Sequence, residues 1–491
     1  MRGGRLFTEK ATDPTQNDSR FVTESHQQVT DLVSVDVESD RLSVAVEPSD
    51  VSSWRSFSWS RISQFASSIT DQVFTVGGMF LGNIALARTR SKEEYGMFAL
   101  SYSIFLFISG LYNAAILEPY TIHGSGRYRN HFPDYRQLMW QQNAVICGSL
   151  GLLLLITWGV LRMLAPSVAS GSFLGLALSV SVLLSALFVR RTLYLLRLPG
   201  LAAKFSIISF VTLCGLLLLA TRLHVLSGFA LYLIAAAALL VGGFCVRQHL
   251  PSIASHGEFH ILHPGHWWEH WKYARWVLVT AFVYQFTNQA YYWLLASFLS
   301  VKEVADLRVL HLLVGPVDQI FVASSLLILP VMAFRYAARM NAELVSLWKV
   351  FGLLNVVLTL VYATLIRVLA APLMHTIYSG RFDDLAALLS ILALLPVMMA
   401  LGNSANVALK SIERPDLVLW AYVASGLTTF VIGIPLVRHG GLRGAIYGML
   451  VSAGIYSASM IVMLWSTTHG DVEQRVFTRT ARNYANGRDP R

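Results

Sequence analysis

The sequence predicts an all-α integral membrane protein with twelve transmembrane helices, and three observations lead to this fold class. The chain of 491 residues is 55% hydrophobic and 13% charged, whereas a soluble domain carries roughly 25% charged residues. Its mean hydropathy is +0.54. Apolar runs of about 20 residues, the length that crosses a bilayer core, recur along the chain. This composition excludes a soluble enzyme, a disordered chain and a disulfide-stapled domain.

Charge is unevenly distributed along the chain. Residues 1–53 contain ten acids and five bases and no apolar run of signal-peptide length. We expect them to form a disordered acidic cytosolic tail, without a cleaved leader. The remaining residues contain 33 bases and 18 acids, a net charge of +15. Such a charge suits basic loops beside anionic lipid headgroups, and it requires no nucleic acid as a partner.

Twelve segments are long and apolar enough to cross a membrane. They cover residues 64–87, 95–118, 139–165, 172–189, 201–221, 226–247, 275–299, 306–333, 347–369, 385–409, 416–437 and 442–466. If the N-terminus is cytosolic, the cytosolic segments from Arg55 onward hold 22 Lys and Arg residues and the outside loops hold 11. Because these residues accumulate on the cytosolic side, both termini are predicted to be cytosolic.

The two halves of the sequence repeat each other. A shift of 210 residues superimposes the predicted spans within a few residues and places Lys92-Glu93 on Lys302-Glu303. A duplicated unit of six helices gives parallel repeats related by a pseudo-two-fold axis along the membrane normal. We therefore predict two six-helix lobes. The N-lobe covers 54–247, an interfacial cytosolic linker covers 248–274, the C-lobe covers 275–466, and a cytosolic C-terminal tail covers 467–491.

Polar side chains form stripes on three predicted spans. They are Asp71 and Thr75 in the first span, Tyr284, Thr287 and Tyr291 in the seventh, and Arg308, His311 and Asp318 in the eighth. A charge at bilayer depth costs at least ~2.5 kcal/mol, so it should face water or a partner. We expect the stripes to line a central cavity. In it, Arg308 and His311 could hold a phosphate group and Asp71 could bind a coupling proton or cation.

A purely structural interpretation of the same residues remains open. Arg308 would then lie near the outer interface and extend its side chain to it. Asp71 and Asp318 would join neighbouring helices.

The linker and the cysteines suggest no metal site or cofactor. Six histidines lie in the linker, but Pro264 and Gly265 interrupt their helical spacing. We favour an interfacial amphipathic segment with tryptophans at headgroup depth, although metal binding there stays open. Cys147, Cys214 and Cys245 lie in apolar runs and are expected to be buried and unpaired.

Extramembrane chemistry is also missing from the sequence. No stretch between spans exceeds 27 residues, and there is no Walker-type phosphate loop or nucleophile elbow. The chain is therefore predicted not to be an enzyme. Glu118-Pro119 is expected to end the second span.

Several stretches together resemble one known family. They are Ala87-Arg88 to Leu100, Leu117-Glu118-Pro119 with Gly124 to Tyr128, Ala305 through Gly315-Pro316 to Pro330, Ala371 to Leu395, and Gly441-Leu442-Arg443-Gly444-Ala445. In this order they are similar to the bacterial polysaccharide (lipid-linked oligosaccharide) flippase family of the multidrug/oligosaccharidyl-lipid/polysaccharide flippase superfamily. The resemblance covers residues from about 64 to 466.

The resemblance implies function as well as fold. It implies alternating access, an oligosaccharide cargo on undecaprenyl pyrophosphate, the bacterial inner membrane, and a polysaccharide polymerase and export machinery as partners. Candidate pyrophosphate ligands are Arg308, His311 and Arg88. Relative to the related lipid II flippases, the cavity arginine would fall near His311, so Arg308 takes over its role or the contact is built differently.

Two other functions remain alternatives. A drug or cation antiporter of the same superfamily would share the fold and topology. A membrane polysaccharide polymerase or acyltransferase is less well supported, because every predicted outer loop is short. The sugar, the coupling ion and the oligomeric state are left open by the sequence.

Overall fold

The computed structural model describes residues 59–125, 128, 131–164, 170–248, 265–338, 340–412 and 414–485. These residues form twelve helical rods and contain no strand. The predicted acidic tail and most of the linker, including four of its histidines, lie outside the described residues.

Six rods form the N-lobe. They are α1 (Trp59–Thr89), α2 (Lys92–Tyr112, a π-helical turn at Asn113–Leu117, and Glu118–Ser125), α3 (Phe132–Leu164), α4 (Gly171–Leu195), α5 (Pro199–Arg222) and α6 (Gly228–Arg247). The prediction that Glu118-Pro119 ends the second span was wrong. The π-helical turn changes the hydrogen-bond register immediately before Pro119, which accommodates a residue without an N–H, and the helix continues.

Six further rods form the C-lobe. They are α7 (Gly265–Phe298), α8 (Val301–Val314 and Pro316–Ala337), α9 (Asn341–Tyr378), α10 (Asp383–Leu385, Ala386–Leu392 and Leu395–Ser411), and α11 and α12. The rod α11 comprises Pro415–Thr428 and the π-helical turn Thr429–Gly433, and Ile434–Ala485 continues it. Gly441, with φ 58° and ψ −137°, breaks Ile434–Ala485. This backbone conformation suits glycine. The rod α11 therefore ends at Gly441, and α12 covers residues 442–485.

The predicted fold class is therefore confirmed, and the predicted spans fall on the observed rods. Eight segments of the described residues are long and apolar enough to cross a membrane, and the last of them contains both α11 and α12. The rods outside these segments are α1, α7 and α8. They are the three on which the sequence shows polar stripes. The rod α7 starts at Gly265, earlier than the predicted residue 275.

Residues Ala66–Arg491 form one compact unit. Within the N-lobe, α4 packs against α3 and α6, and in the C-lobe α12 packs against α10 and α11. Contact between the lobes includes α2, which packs against α7 and α8.

The cysteines correct one expectation. All three are free, but only Cys147 is buried, while Cys214 is half-buried and Cys245 is exposed. An apolar side chain on the outer face of a membrane helix needs no protein neighbours, because lipid replaces them. Burial therefore does not follow from an apolar run here.

Candidate functional site

The Asp71 carboxylate forms a buried ion pair inside the N-lobe. Arg190 of α4 donates to it through Nε and Nη2 at 3.2 and 2.6 Å. Tyr194 donates to Oδ2 at 2.7 Å, and Ser206 of α5 donates to Oδ1. Asp71 is 0% exposed and the Arg190 side chain 13%. Thr75 joins the same group through the Ser206 hydroxyl, 2.9 Å away.

The structure thus brings Asp71 and Thr75 together, and it adds Arg190 and Tyr194, which the sequence analysis missed. In the sequence, Arg190 directly follows the predicted span 172–189 and is one of the 22 basic residues of the predicted cytosolic segments. A buried acid requires a partner. An arginine within the same predicted lobe was therefore the feature of the sequence that could have indicated the partner of Asp71. The spacing of 119 residues between Asp71 and Arg190 hides their pairing in the sequence.

The Arg308 guanidinium lies where the two lobes meet. It is seven residues from the start of α8, or about 10 Å along the helix axis. Its Nε donates to Asn83 Oδ1 of α1 at 3.2 Å, and its Cζ lies 4.5 Å from the centre of the Tyr102 ring of α2. The ion pairs of the described residues do not include Arg308.

Arg308 and His311 share an aromatic environment. The Tyr292 hydroxyl lies 2.9 Å from His311 Nδ1, and the two rings are stacked with centroids 5.9 Å apart. Arg308 also interacts electrostatically with Tyr292 and Tyr95. Tyr95 in turn donates to the Asn83 oxygen that accepts from Arg308. This arrangement holds a cationic group among tyrosine hydroxyls and rings at the contact between the lobes.

Arg88 lies apart from Arg308, at the C-terminal end of α1. Its Nε and Nη2 donate to the backbone carbonyls of Ile377 and Thr376 at 2.6 and 2.5 Å. Arg381 donates in return to the carbonyls of Ala87 and Arg88 at 2.9 and 2.8 Å. These reciprocal bonds tie the C-terminal end of α1 to the C-terminal end of α9 and the residues that follow it.

The Lys-Glu pairs of the sequence repeat face each other across the two lobes. Lys302 Nζ lies 2.7 Å from Glu93 Oε1, and Lys92 Nζ lies 3.0 Å from Asp306 Oδ1. The hydrogen bond from Lys302 lowers the pKa of Glu93, and Glu93 raises the pKa of Lys302. Helices α2 and α8 approach each other closely here. A Cβ atom added to Gly96 would lie 2.0 Å from the Val301 carbonyl oxygen, so this position requires glycine.

We call these contacts between the lobes the outer clasp, because the predicted orientation with cytosolic termini would place them on the outer side of the membrane. It comprises the ion pairs Lys302–Glu93 and Lys92–Asp306 and the backbone contacts of Arg88 and Arg381.

The predicted residues of the C-lobe divide into packed and exposed ones. Tyr291 is buried, lies 3.1 Å from the Ser452 hydroxyl, and packs against Gly433 and Gly448. The Thr287 hydroxyl donates to its own helix, at the Val283 carbonyl. Tyr284 is 37% exposed, and Asp318 is exposed at the start of the second half of α8. Tyr284 and Asp318 interact electrostatically, so they lie near each other.

No protein-family profile and no curated protein matches the chain. Solved structures do match. An inward-facing multidrug resistance MATE family transporter of the MOP superfamily aligns with a TM-score of 0.67 at 12% identity, over 82% of this chain and 98% of that chain. The same family's transporter in an outward-facing conformation gives 0.58 at 13% identity, over 82% and 96%.

A MOP superfamily transporter from Pyrococcus furiosus gives a TM-score of 0.62 at 12% identity, over 83% of this chain and 95% of that chain. At such identities the likeness concerns the fold. The chain therefore has the fold of the MATE family transporters of the MOP superfamily.

Proposed function

We propose that the chain is a flippase rather than an enzyme. It carries an undecaprenyl-pyrophosphate-linked oligosaccharide across the bacterial inner membrane by alternating access, for exopolysaccharide or O-antigen biosynthesis. One observation carries the proposal: Arg308 lies between the lobes without a carboxylate partner among the described residues. An uncompensated guanidinium favours an anionic cargo, and its planar fork matches phosphate oxygens.

The surroundings of Arg308 suit a pyrophosphate. Tyrosine hydroxyls can donate to phosphate oxygens, and Tyr292 and Tyr102 lie beside the guanidinium. Their rings also replace water around it, which strengthens its attraction for an anion. His311 is held by Tyr292 and would extend the donor set one helical turn further along α8.

The outer clasp supports the alternating-access part of the proposal. It connects the lobes on the face that a cargo must cross to leave the protein, so it must open in each cycle. The Lys302–Glu93 pair has both side chains more than half exposed, and such ion pairs are weak enough to separate.

Ion coupling through Asp71 stays a prediction. The hydrogen bonds of Asp71 determine what a coupling ion would have to displace. Arg190 donates to both carboxylate oxygens, and Tyr194 and Ser206 donate to one each. A proton or cation would therefore have to displace Arg190, and that displacement would link binding to movement of α4 against α1.

Partners and placement remain part of the proposal. A flippase of this kind would work with a polysaccharide polymerase and export machinery in the inner membrane. Both termini would lie in the cytosol.

A drug or cation antiporter is the second candidate function. Asp318 favours it, because an exposed carboxylate beside Tyr284 could bind an organic cation. The matching transporters described as multidrug resistance proteins have the same fold.

A deletion strain tests the proposal directly. We expect loss of the polymer and accumulation of lipid-linked oligosaccharide on the inner leaflet. Unpolymerised units on the outer leaflet would instead indicate a polymerase, and drug sensitivity with normal polymer would indicate the antiporter.

Complementation tests the role of Arg308. The Arg308→Ala variant should restore less than about a tenth of the polymer, as the loss of one charge-assisted contact predicts. Arg367→Ala is the matched control, because Arg367 is exposed on α9 and should restore full synthesis. Normal synthesis with Arg308→Ala, at equal protein abundance, would reject the pyrophosphate role.

A further inference from the structure

Three tyrosines of the C-lobe form an aromatic group that no single stretch of sequence reveals. The rings of Tyr422 on α11 and Tyr456 on α12 are stacked, with centroids 5.2 Å apart and planes at 13°. Tyr284 on α7 contacts Tyr422 at 4.9 Å with a tilt of 60°. Tyr456 is buried, Tyr422 is half-buried and Tyr284 is exposed. The group thus extends from the core of the lobe to an accessible ring.

Two asparagines of α10 hold these rings in place. Asn406 Nδ2 donates to the hydroxyls of both Tyr422 and Tyr456, at 3.1 and 3.2 Å. The Tyr456 hydroxyl donates to Asn403 Oδ1 at 3.2 Å. Because the hydroxyls are fixed by α10, the Tyr422 and Tyr456 rings are held in one orientation.

Asp318 lies beside the exposed end of this group. Its carboxylate has no ion pair or hydrogen bond among the described residues. It interacts electrostatically with Tyr284 of α7 and Tyr362 of α9. Asp318 is exposed at the start of the second half of α8, a predicted membrane span. A charge facing hydrocarbon would be unfavourable, so we infer a hydrated recess at this position.

The recess has the chemistry of a carbohydrate site. An ionised carboxylate only accepts hydrogen bonds, and sugar hydroxyls donate them. A tyrosine ring offers a flat apolar face for the C–H face of a sugar ring, together with a polar hydroxyl. Arg308 has the complementary chemistry, because a guanidinium only donates and its positive charge and planar fork match the oxygens of a pyrophosphate.

The distance between the two groups fits one extended cargo. Arg308 and Asp318 are ten residues apart in the two halves of α8, or about 15 Å along the helix direction. An oligosaccharide attached to a pyrophosphate at Arg308 can span this distance.

We propose that Tyr284, Tyr422 and Asp318 form the subsite that binds the sugar portion of the cargo. This inference rests on the flippase function proposed above. An organic cation would also suit a carboxylate among tyrosines. However, Arg308 on the same rod has no carboxylate partner among the described residues and opposes a cationic cargo, so a neutral sugar is favoured.

Binding measurements on the purified full chain in detergent test the subsite. The probes are the lipid-linked oligosaccharide extracted from the deletion strain and undecaprenyl pyrophosphate without sugar. We expect Tyr284→Leu and Asp318→Asn each to weaken binding of the glycolipid by about tenfold, the effect of losing one good contact. Binding of undecaprenyl pyrophosphate should not change. Tyr447→Leu is the matched control, because Tyr447 is an exposed tyrosine of α12.

The outcomes separate this inference from the proposed function. If Arg308→Ala weakens both probes while Tyr284→Leu and Asp318→Asn weaken neither, the flippase stands and the sugar subsite is rejected. If the unmodified protein binds tetraphenylphosphonium through Asp318 but not the glycolipid, both proposals are rejected in favour of a cation transporter. Equal weakening of both probes by Tyr284→Leu would show a general packing effect and would also reject the subsite.

Discussion

The two lobes treat a carboxylate inside the membrane domain in opposite ways. In the N-lobe, Asp71 is fully buried and bound by Arg190, Tyr194 and Ser206. In the C-lobe, Asp318 is exposed and has no ion pair or hydrogen bond among the described residues. The sequence repeat places Asp71 on residue 281 and Asp318 on residue 108, and neither position is acidic. The repeat therefore does not place the two acids in equivalent positions.

This difference indicates two kinds of function for the same chemical group. A carboxylate that is saturated by its own lobe joins α1, α4 and α5 and offers no free acceptor to a cargo. A carboxylate without a partner retains its acceptor capacity for a ligand. Intramembrane charge alone thus does not identify a binding residue. The partners of the charge have to be known.

The largest effect on the free energy of unfolding is expected when Asp71, and not Asp318, is replaced. Asp71→Ala leaves Arg190 as a buried charge without a partner, which should lower the free energy of unfolding by about 3–5 kcal/mol. Thermal unfolding of the purified protein in detergent measures the loss. The double variant Asp71→Ala/Arg190→Met should recover most of it, because an apolar replacement of both partners removes the unpaired charge. If Asp71→Ala alone were as stable as the unmodified protein, the ion pair between Asp71 and Arg190 would not contribute to stability.

The sequence predicted the positions of such groups better than their partners. Asp71 and Thr75 were found because helical periodicity is local, and they lie together in the structure. Arg190 was missed because its contact with Asp71 depends on how α4 packs against α1. The same holds for Asn403 and Asn406, whose bonds to Tyr456 and Tyr422 require three helices to meet.

The fold itself was more accessible to sequence analysis, since span length and the 210-residue repeat are properties of the chain. The repeat also explains the outer clasp, in which Lys302 bonds Glu93 across the lobes. The exact helix ends were less predictable. The π-helical turn at Asn113–Leu117 carries α2 past Pro119, and no local rule for proline anticipates that.

A smaller effect is expected at the C-lobe acid. Asp318→Asn removes a charge that has no partner among the described residues, so the free energy of unfolding should change by no more than about 0.5 kcal/mol. The same thermal unfolding experiment measures it beside Asp71→Ala. A loss as large as that of Asp71→Ala would mean that Asp318 has a structural partner, and the contrast between the lobes would fail.

The smallest effect is expected at an exposed carboxylate that does have a partner. Glu93 lies in the outer clasp, and the hydrogen bond from Lys302 lowers its pKa below the ordinary value of 4.5. A lowered pKa in the folded state adds stability above pH 4.5 that is lost as the pH falls through the lowered value. Lys302 has a pKa raised above 10.5, so its share of the stability is lost when the pH rises through that raised value.

Glu93→Gln should therefore be slightly less stable than the unmodified protein at neutral pH and equally stable once the pH has fallen below the lowered pKa of Glu93. Thermal unfolding across this range measures the difference, and added salt should reduce it because the pair is exposed. Glu94→Gln is the control, since Glu94 pairs with Arg90 of its own lobe. If the difference persisted unchanged in acid, Glu93 would act through packing and not through its charge. The outer clasp would then hold the lobes together mainly by the backbone contacts of Arg88 and Arg381.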